Sequence, residues 1–139
     1  MQEGAPLNAF TFRHTPVLAN EIIKSISKLP QKLIKEGVII DATLGGGGHS
    51  ALILDRYPEI KIIGVDQDPI AREAASKNLK NYGSRVEIVS SNFADFVPNQ
   101  KVILVLADLG VNSNQLDDPS RGFSFRSHGP IDMRMDPSK

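Results

Sequence analysis

The chain contains no cysteine. Disulfide staples, Cys-ligated zinc and a thiolate nucleophile are therefore excluded from these residues, and no metal site is expected. Net charge is missing too, with 16 Lys and Arg set against 16 Asp and Glu. Bulk electrostatics thus gives no support for nucleic-acid binding, and any such reading must rest on a local site. No apolar run approaches bilayer-spanning length, and the first residues lack the basic, apolar and small order of a secretory signal. No membrane association and a cytoplasmic setting are the expectation. Repeats and low-complexity tracts are absent as well. What remains is 139 residues, 40% hydrophobic and 23% charged, the composition of one globular domain at most.

The chain is organised around Asp41-Ala42-Thr43-Leu44-Gly45-Gly46-Gly47-Gly48-His49-Ser50. This stretch follows the apolar run Val38-Ile39-Ile40 and leads into Ala51-Leu52-Ile53-Leu54, an order that predicts strand, glycine turn and helix start. Glycines carry no Cβ, so the backbone can take positive φ and a ligand can approach the main chain closely. A helix opening there points free N–H groups above the strand end. The arrangement predicts a nucleotide-type ligand at the carboxyl edge of a parallel sheet. The alternative, a flexible loop without a ligand, would cost entropy with no contact to offset it.

Residues 1–13 mix Gly, Pro and Asn with lone aromatics and predict a flexible N-terminal arm. Thr15 and Pro16 predict the N-cap and first position of a helix. Its apolar stripe is Leu18, Ile22, Ile26 and Leu29, with Lys24 and Lys28 on a solvated face. Pro30 ends it, and a polar link runs to Gly37. A second strand is expected over Lys61–Asp66. Asp68 and Pro69 then open a helix that turns Ile70, Ala71, Ala74, Ala75 and Leu79 toward a sheet. Val86–Val89 reads as a third strand, and the apolar Lys101–Ala107 as a fourth, buried on both faces. Between these two, Phe93 to Gln100 leaves room for a turn or short helix. The fold class is α/β with an open parallel sheet. Wound outward from the first strand, such a sheet leaves the fourth strand bare on one side, and native folds cover edges of that kind. An incomplete fold unit, or a partner on that edge, is the expectation.

Two ligand classes compete for the glycine turn. A dinucleotide fingerprint would need glycines at Gly45, Gly47 and position 50, but Ser50 occupies the third place. An S-adenosylmethionine site needs acidic residues at the ends of the first two strands around a glycine turn. Asp66 would accept from both ribose hydroxyls, or it opens a turn with Asp68. Gly47, Gly48 and His49 would surround the methionine portion, although the His49 imidazole is equally read as belonging to the helix start. Phe93 lies either against adenine or in the core. Asp108 stands where the ligand's ammonium group needs an anion.

Several motifs recur together in one family. They are His14-Thr15-Pro16-Val17-Leu18, the Asp41–Ser50 stretch, Gly64-Val65-Asp66-Gln67-Asp68-Pro69, Asp108-Leu109-Gly110-Val111, Gln115-Leu116-Asp117 and Arg121-Gly122-Phe123-Ser124-Phe125. Gly129-Pro130-Ile131-Asp132-Met133-Arg134-Met135-Asp136 completes the set. With these the sequence resembles the ribosomal RNA small subunit methyltransferase H family (RsmH, also called MraW), in register from about His14 to Lys139. The resemblance implies a Rossmann-like class I S-adenosylmethionine-dependent methyltransferase. It also implies methyl transfer to the N4 amine of a cytidine in the decoding region of small-subunit (16S) rRNA, so the rRNA or ribosomal subunit is the expected partner. The cofactor positions carried over are Gly47, Gly48, His49, Asp66, Phe93, Asp108 and Gln115, the last of which comes from the resemblance alone. Asn112 and Asn114 depart from the family pattern, where serine and proline are usual. Family members are about twice this long and carry an inserted helical domain and further strands. Residues 14–139 therefore correspond to the N-terminal part of the methyltransferase domain.

The absence of cysteine bears on the chemistry. Methylation at pyrimidine C5 commonly uses a thiolate that adds to the ring, which leaves direct attack by nitrogen or oxygen. Acceptors in Asp108–Gln115 are expected to hold the amine, with Asp108 and Asn112 as catalytic candidates. Phe123 or Phe125 would stack the base, and Arg121 or Arg134 would meet phosphate. For the two Phe residues the alternative is a small loop core, and for the two Arg residues an ion pair with a nearby Asp. The chain is thus read as the N-terminal part of an active rRNA methyltransferase, or as a non-catalytic fragment that at most binds cofactor or a partner.

Overall fold

A computed structural model describes residues 16–110, 119–121, 129, 134–136 and 138. The expected arm, Thr15, Asn112, Gln115, Phe123 and Phe125 lie outside the described residues. The elements run α1 (Ala19–Ser27), α2 (Gln31–Lys35), β1 (Val38–Asp41), α3 (Gly48–Arg56), β2 (Lys61–Asp66) and α4 (Pro69–Asn78). A 3-10 turn over Lys80–Arg85 then leads to β3 (Val86–Ser90), and β4 (Leu104–Leu106) follows. The strands form one sheet in the order β3-β2-β1-β4. All three pairings are parallel, with Ile39 beside Ile62 and Leu104, and Ile62 beside Val86.

Alternation along the strands sends side chains to opposite faces and divides the core in two. Ile39, Ile62 and Leu104 pack with Ile26 of α1, Ile34 of α2, Ile53 and Leu54 of α3, and Ala75 and Leu79 beyond it. The other face carries the smaller cluster of Val38, Ile40, Ala42, Ile63 and Val65, with Phe96 and Val102 packed against it. Burying an isoleucine side chain of this kind contributes about 1.5–3 kcal/mol, so the helix-covered face dominates the stability.

Four expectations need correction. The first helix starts at Ala19 rather than Pro16, because Leu18 sits in the left-handed region at φ 53° and interrupts the helical run. Leu18 consequently leaves the apolar stripe and is 63% exposed. The expected polar link contains α2, which opens where the Pro30 carbonyl accepts from Leu33 N–H at 2.9 Å and which buries Ile34. Ile70 points away from the sheet, since α4 turns Ala71 and Ala75 inward instead. The fourth strand is shorter than Lys101–Ala107 and is not buried on both faces, with Val105 61% exposed. Among the described residues β4 pairs with β1 alone, which leaves its outer edge bare as the topology requires. No described helix is long and apolar enough to cross a membrane.

Gly64 in the middle of β2 has a packing reason. A Cβ there would lie 2.6 Å from Leu44 Cδ1 and 2.7 Å from Cδ2, so the strand has room for Leu44 only while position 64 is glycine. Leu44 is itself buried at 3% exposure and cannot swing aside. Gly64→Ala is expected to cost about 1–3 kcal/mol in urea denaturation, as overpacking generally does. Val105→Ala on the exposed face is expected to stay within about 0.5 kcal/mol of wild type in the same measurement.

Candidate active site at the carboxyl edge of the sheet

Three strands deliver their chemistry to one edge. β1 ends on Asp41, β2 on Asp66, and β4 leads straight to Asp108. The glycine turn between β1 and α3 is held over this edge from several sides. Leu44 N–H donates to the Val65 carbonyl at 3.1 Å, and Gly45 N–H donates to Asp66 Oδ2 at 2.9 Å. Asn78 Nδ2 donates to the Gly46 carbonyl at 2.9 Å. On the β4 side, Asp108 N–H donates to Thr43 Oγ1 at 2.6 Å. Gly45 and Gly47 take positive φ of 54° and 86°, where a side chain would be strained. At Gly47 a Cβ would also meet Leu79 Cδ1 at 2.8 Å.

Beneath the turn lies Asp41, 1% exposed. Its Oδ2 accepts from Ser50 Oγ at 2.7 Å, and its Oδ1 from Thr43 N–H at 3.3 Å. Ser50, the residue that breaks the dinucleotide fingerprint, therefore ties the first turn of α3 to the end of β1. A glycine could not do this. Burial pushes the Asp41 carboxyl above its ordinary 3.8, while the Ser50 and Thr43 hydrogen bonds hold it down in part.

Asp66 does more than either sequence reading required. Its Oδ1 accepts from Asp68 N–H at 2.9 Å, which is the turn, and its Oδ2 takes the glycine-turn N–H. A carboxylate offers about four lone-pair sites, so each oxygen retains one for a further donor. Asp68 caps α4 as expected, accepting from Ile70 N–H at 3.0 Å. Phe93 is 51% exposed beyond β3, which removes the core reading. It follows Asn92, whose Oδ1 accepts from Ala94 N–H at 3.0 Å and sets the turn. The Asp108 residue is exposed.

The His49 ring is buried, and its Nε2 lies 2.7 Å from the Val17 carbonyl. A carbonyl only accepts, so Nε2 carries the proton. This imidazole anchors the segment before α1.

For Arg121 the structure shows the ion pair with an Asp that the alternative reading foresees. Its guanidinium is 6% exposed, with Nη2 at 2.9 Å from Asp68 Oδ2 and Nη1 at 3.4 Å from Oδ1. Nη2 also donates to the Met135 carbonyl at 2.9 Å and to that of Arg134 at 3.3 Å. Arg134 is exposed at the surface. Sequence reasoning missed Thr43, Asn78 and Leu79 as supports of the turn. No local signal marks them, because their partners lie far along the chain.

A parallel β3-β2-β1-β4 sheet with its helix-packed face and a glycine turn at its carboxyl edge defines a Rossmann-like class I methyltransferase fold. Two solved structures share that fold. YjhP from E. coli aligns with a TM-score of 0.53 at 17% identity, over 70% of this chain and 40% of that one. Coclaurine N-methyltransferase, solved with N-methylheliamine and SAH, aligns with a TM-score of 0.51 at 10% identity, over 63% and 25%. The chain belongs to the MraW methylase family, whose model matches residues 11–139. It is 61% identical over 139 residues to the ribosomal RNA small subunit methyltransferase H of Prochlorococcus marinus strain NATL1A, covering all of this chain and 46% of that protein. The Synechococcus sp. WH7803 protein of the same name is 54% identical over 137 residues, 99% of this chain and 45% of its own length. The chain thus spans about half the length of the curated relatives it matches.

The Asp41 environment predicts a pH dependence. Its folded pKa lies above the unfolded value, so its stabilising effect is complete below about 3.8 and is lost as pH rises through the folded pKa. Asp41→Asn preserves an acceptor for Thr43 N–H and does not ionise. Urea denaturation between pH 4 and pH 8 is expected to show the variant gaining on wild type as pH rises, then running parallel to it.

Proposed function

We propose that the protein is the N-terminal part of an rRNA methyltransferase. It binds S-adenosylmethionine at the carboxyl edge of the sheet and serves methyl transfer to the N4 amine of a cytidine in the decoding region of small-subunit (16S) rRNA. The observation that carries this reading is Asp66, held by Gly45 and Asp68 N–H groups with a lone pair left on each oxygen, beside a glycine turn in a chain of the MraW methylase family.

The residues present fit the cofactor. Asp66 supplies acceptors for a ribose diol, and such a pair of hydrogen bonds to a charged group contributes about 3 kcal/mol, roughly a hundredfold in affinity. Gly47, Gly48 and His49 bring backbone at the start of α3; Gly47 N–H donates to the Leu44 carbonyl at 2.9 Å, and the Gly48 and His49 N–H groups have no intrahelical acceptor. The exposed Phe93 ring offers a face to adenine, and the exposed Asp108 offers a carboxylate to an ammonium group. Gln115 joins them by family membership. S-adenosylmethionine, when bound, supplies an electrophilic methyl group.

This chain's part in the reaction is placement and hydrogen bonding. The cytidine amine is a weak nucleophile because its lone pair is delocalised into the ring. Its nitrogen must be held in line with the methyl carbon, and acceptors must take up its N–H groups as charge develops. Asp108 and Asn112 are the candidates for that acceptor role. Phe123 or Phe125 is assigned to stacking the target base, which must leave its stack or already be single-stranded. Arg134 is assigned to phosphate.

Calorimetric titration with S-adenosylmethionine tests the cofactor site. Asp66→Ala is expected to weaken binding by roughly a hundredfold. Asp108→Asn leaves the Asp108 backbone bond to Thr43 in place, so a weakening there reports the carboxylate itself and not the loop. Equal binding by wild type and both variants overturns the assignment. For the substrate, small-subunit rRNA treated with the complete protein is digested and its nucleosides weighed and fragmented. N4-methylcytidine is expected, and a methyl group at C5 refutes the mechanism.

A further inference from the structure

The buried Arg121 guanidinium gathers three parts of the chain that are distant in sequence. Asp68 belongs to the turn between β2 and α4, Arg121 to the 3-10 turn Pro119–Arg121, and the Arg134 and Met135 carbonyls to the closing segment. Gln67 adds a fourth link, with Nε2 3.3 Å from Met135 Sδ. The Pro119–Arg121 turn and the Arg134–Met135 backbone therefore meet at one place, the turn that directly follows Asp66. The turn itself is fixed to Asp66 by the Asp68 N–H bond of 2.9 Å, and Arg72 Nη1 holds the Asp66 carbonyl at 3.0 Å.

An arginine fork suits this junction for a physical reason. It has five donors in a rigid plane and can meet a carboxylate and two carbonyls together, whereas a lysine ammonium is a point charge. Desolvation makes a buried pair of this kind a weak source of net stability. Its effect is to set where the two segments meet.

We infer that Arg121 is a positioning residue. By pairing with Asp68 it holds the Pro119–Arg121 turn and the Arg134–Met135 backbone beside Asp66 and joins them and the cofactor edge into one cooperative unit. This rests on the proposed cofactor site, and it assigns to Arg121 a task distinct from contact with RNA.

The test is hydrogen–deuterium exchange of the protein, with and without S-adenosylmethionine, for wild type, Arg121→Met, Arg121→Lys, Asp68→Asn and the double variant Asp68→Asn/Arg121→Met. Asparagine still caps α4, so Asp68→Asn removes the charge and keeps the helix start. In the cofactor-free state, Arg121→Met is expected to speed exchange over 64–70, 119–121 and 134–136 together while β1 and α3 keep their protection. Arg121→Lys is expected to restore protection only in part. Cofactor affinity is expected to fall about tenfold in each single variant, the size of an ordinary coupling between sites. The double variant is expected to be no worse than the weaker single one, as for two residues acting through one contact. Uniform acceleration across the molecule, or acceleration at 119–121 and 134–136 without 64–70, overturns the inference. So does unchanged affinity in a folded Arg121→Met variant. If wild type itself fails to bind the cofactor, the functional reading falls, and the exchange pattern of the cofactor-free proteins still decides the role of Arg121.

Discussion

The site depends on one carboxylate. Asp66 takes an N–H from Gly45 on one oxygen and an N–H from Asp68 on the other. The first bond holds the glycine turn over β2, and the second shapes the turn into α4. Asp66 thus ties together the two loops that flank the edge, beside the Leu44–Val65 and Asn78–Gly46 bonds. Hydrogen bonds to an ionised acceptor are the stronger kind, which suits a residue asked to organise flexible backbone. Asp41 performs a complementary task from below, in a drier place. It joins Thr43 and Ser50 so that the turn is fixed at both its start and its exit into α3.

Among the described residues the carboxyl edge gathers four acidic residues in a chain with no net charge. Their environments separate them. Asp41 is buried and pushed toward its protonated form, Asp68 is buried and neutralised by Arg121, Asp66 is half-buried with backbone donors, and Asp108 is exposed. Only the last two retain capacity toward a cationic or hydroxyl-bearing ligand.

Much of the frame was legible from residue order. The strand ends at Asp41 and Asp66, the cap at Asp68 with Pro69, and the glycine turn all follow from local chemistry acting over a few residues. The misreadings have local causes of another kind. Leu18 carries no mark that predicts a left-handed backbone, so residue order alone extends the first helix back to Pro16. The α2 segment is too short for helical periodicity to register, and it stands on the packing of Ile34. The apolar run before Asp108 suggested burial on both faces, but side-chain type cannot say which face neighbouring elements cover.

The sequence alone determined the class of site, because glycine conformational freedom, strand-end carboxylates and capping pairs act between near neighbours and need no knowledge of the rest of the fold. Tertiary structure decided which polar groups are already engaged. Arg121 and Asp68 are far apart along the chain, as are Asn78 and Gly46, or Asp108 and Thr43. Their pairing depends on how the helices and closing segment lie across the sheet. A buried guanidinium and a phosphate-binding one have the same sequence signature, and only burial and hydrogen-bond partners tell them apart.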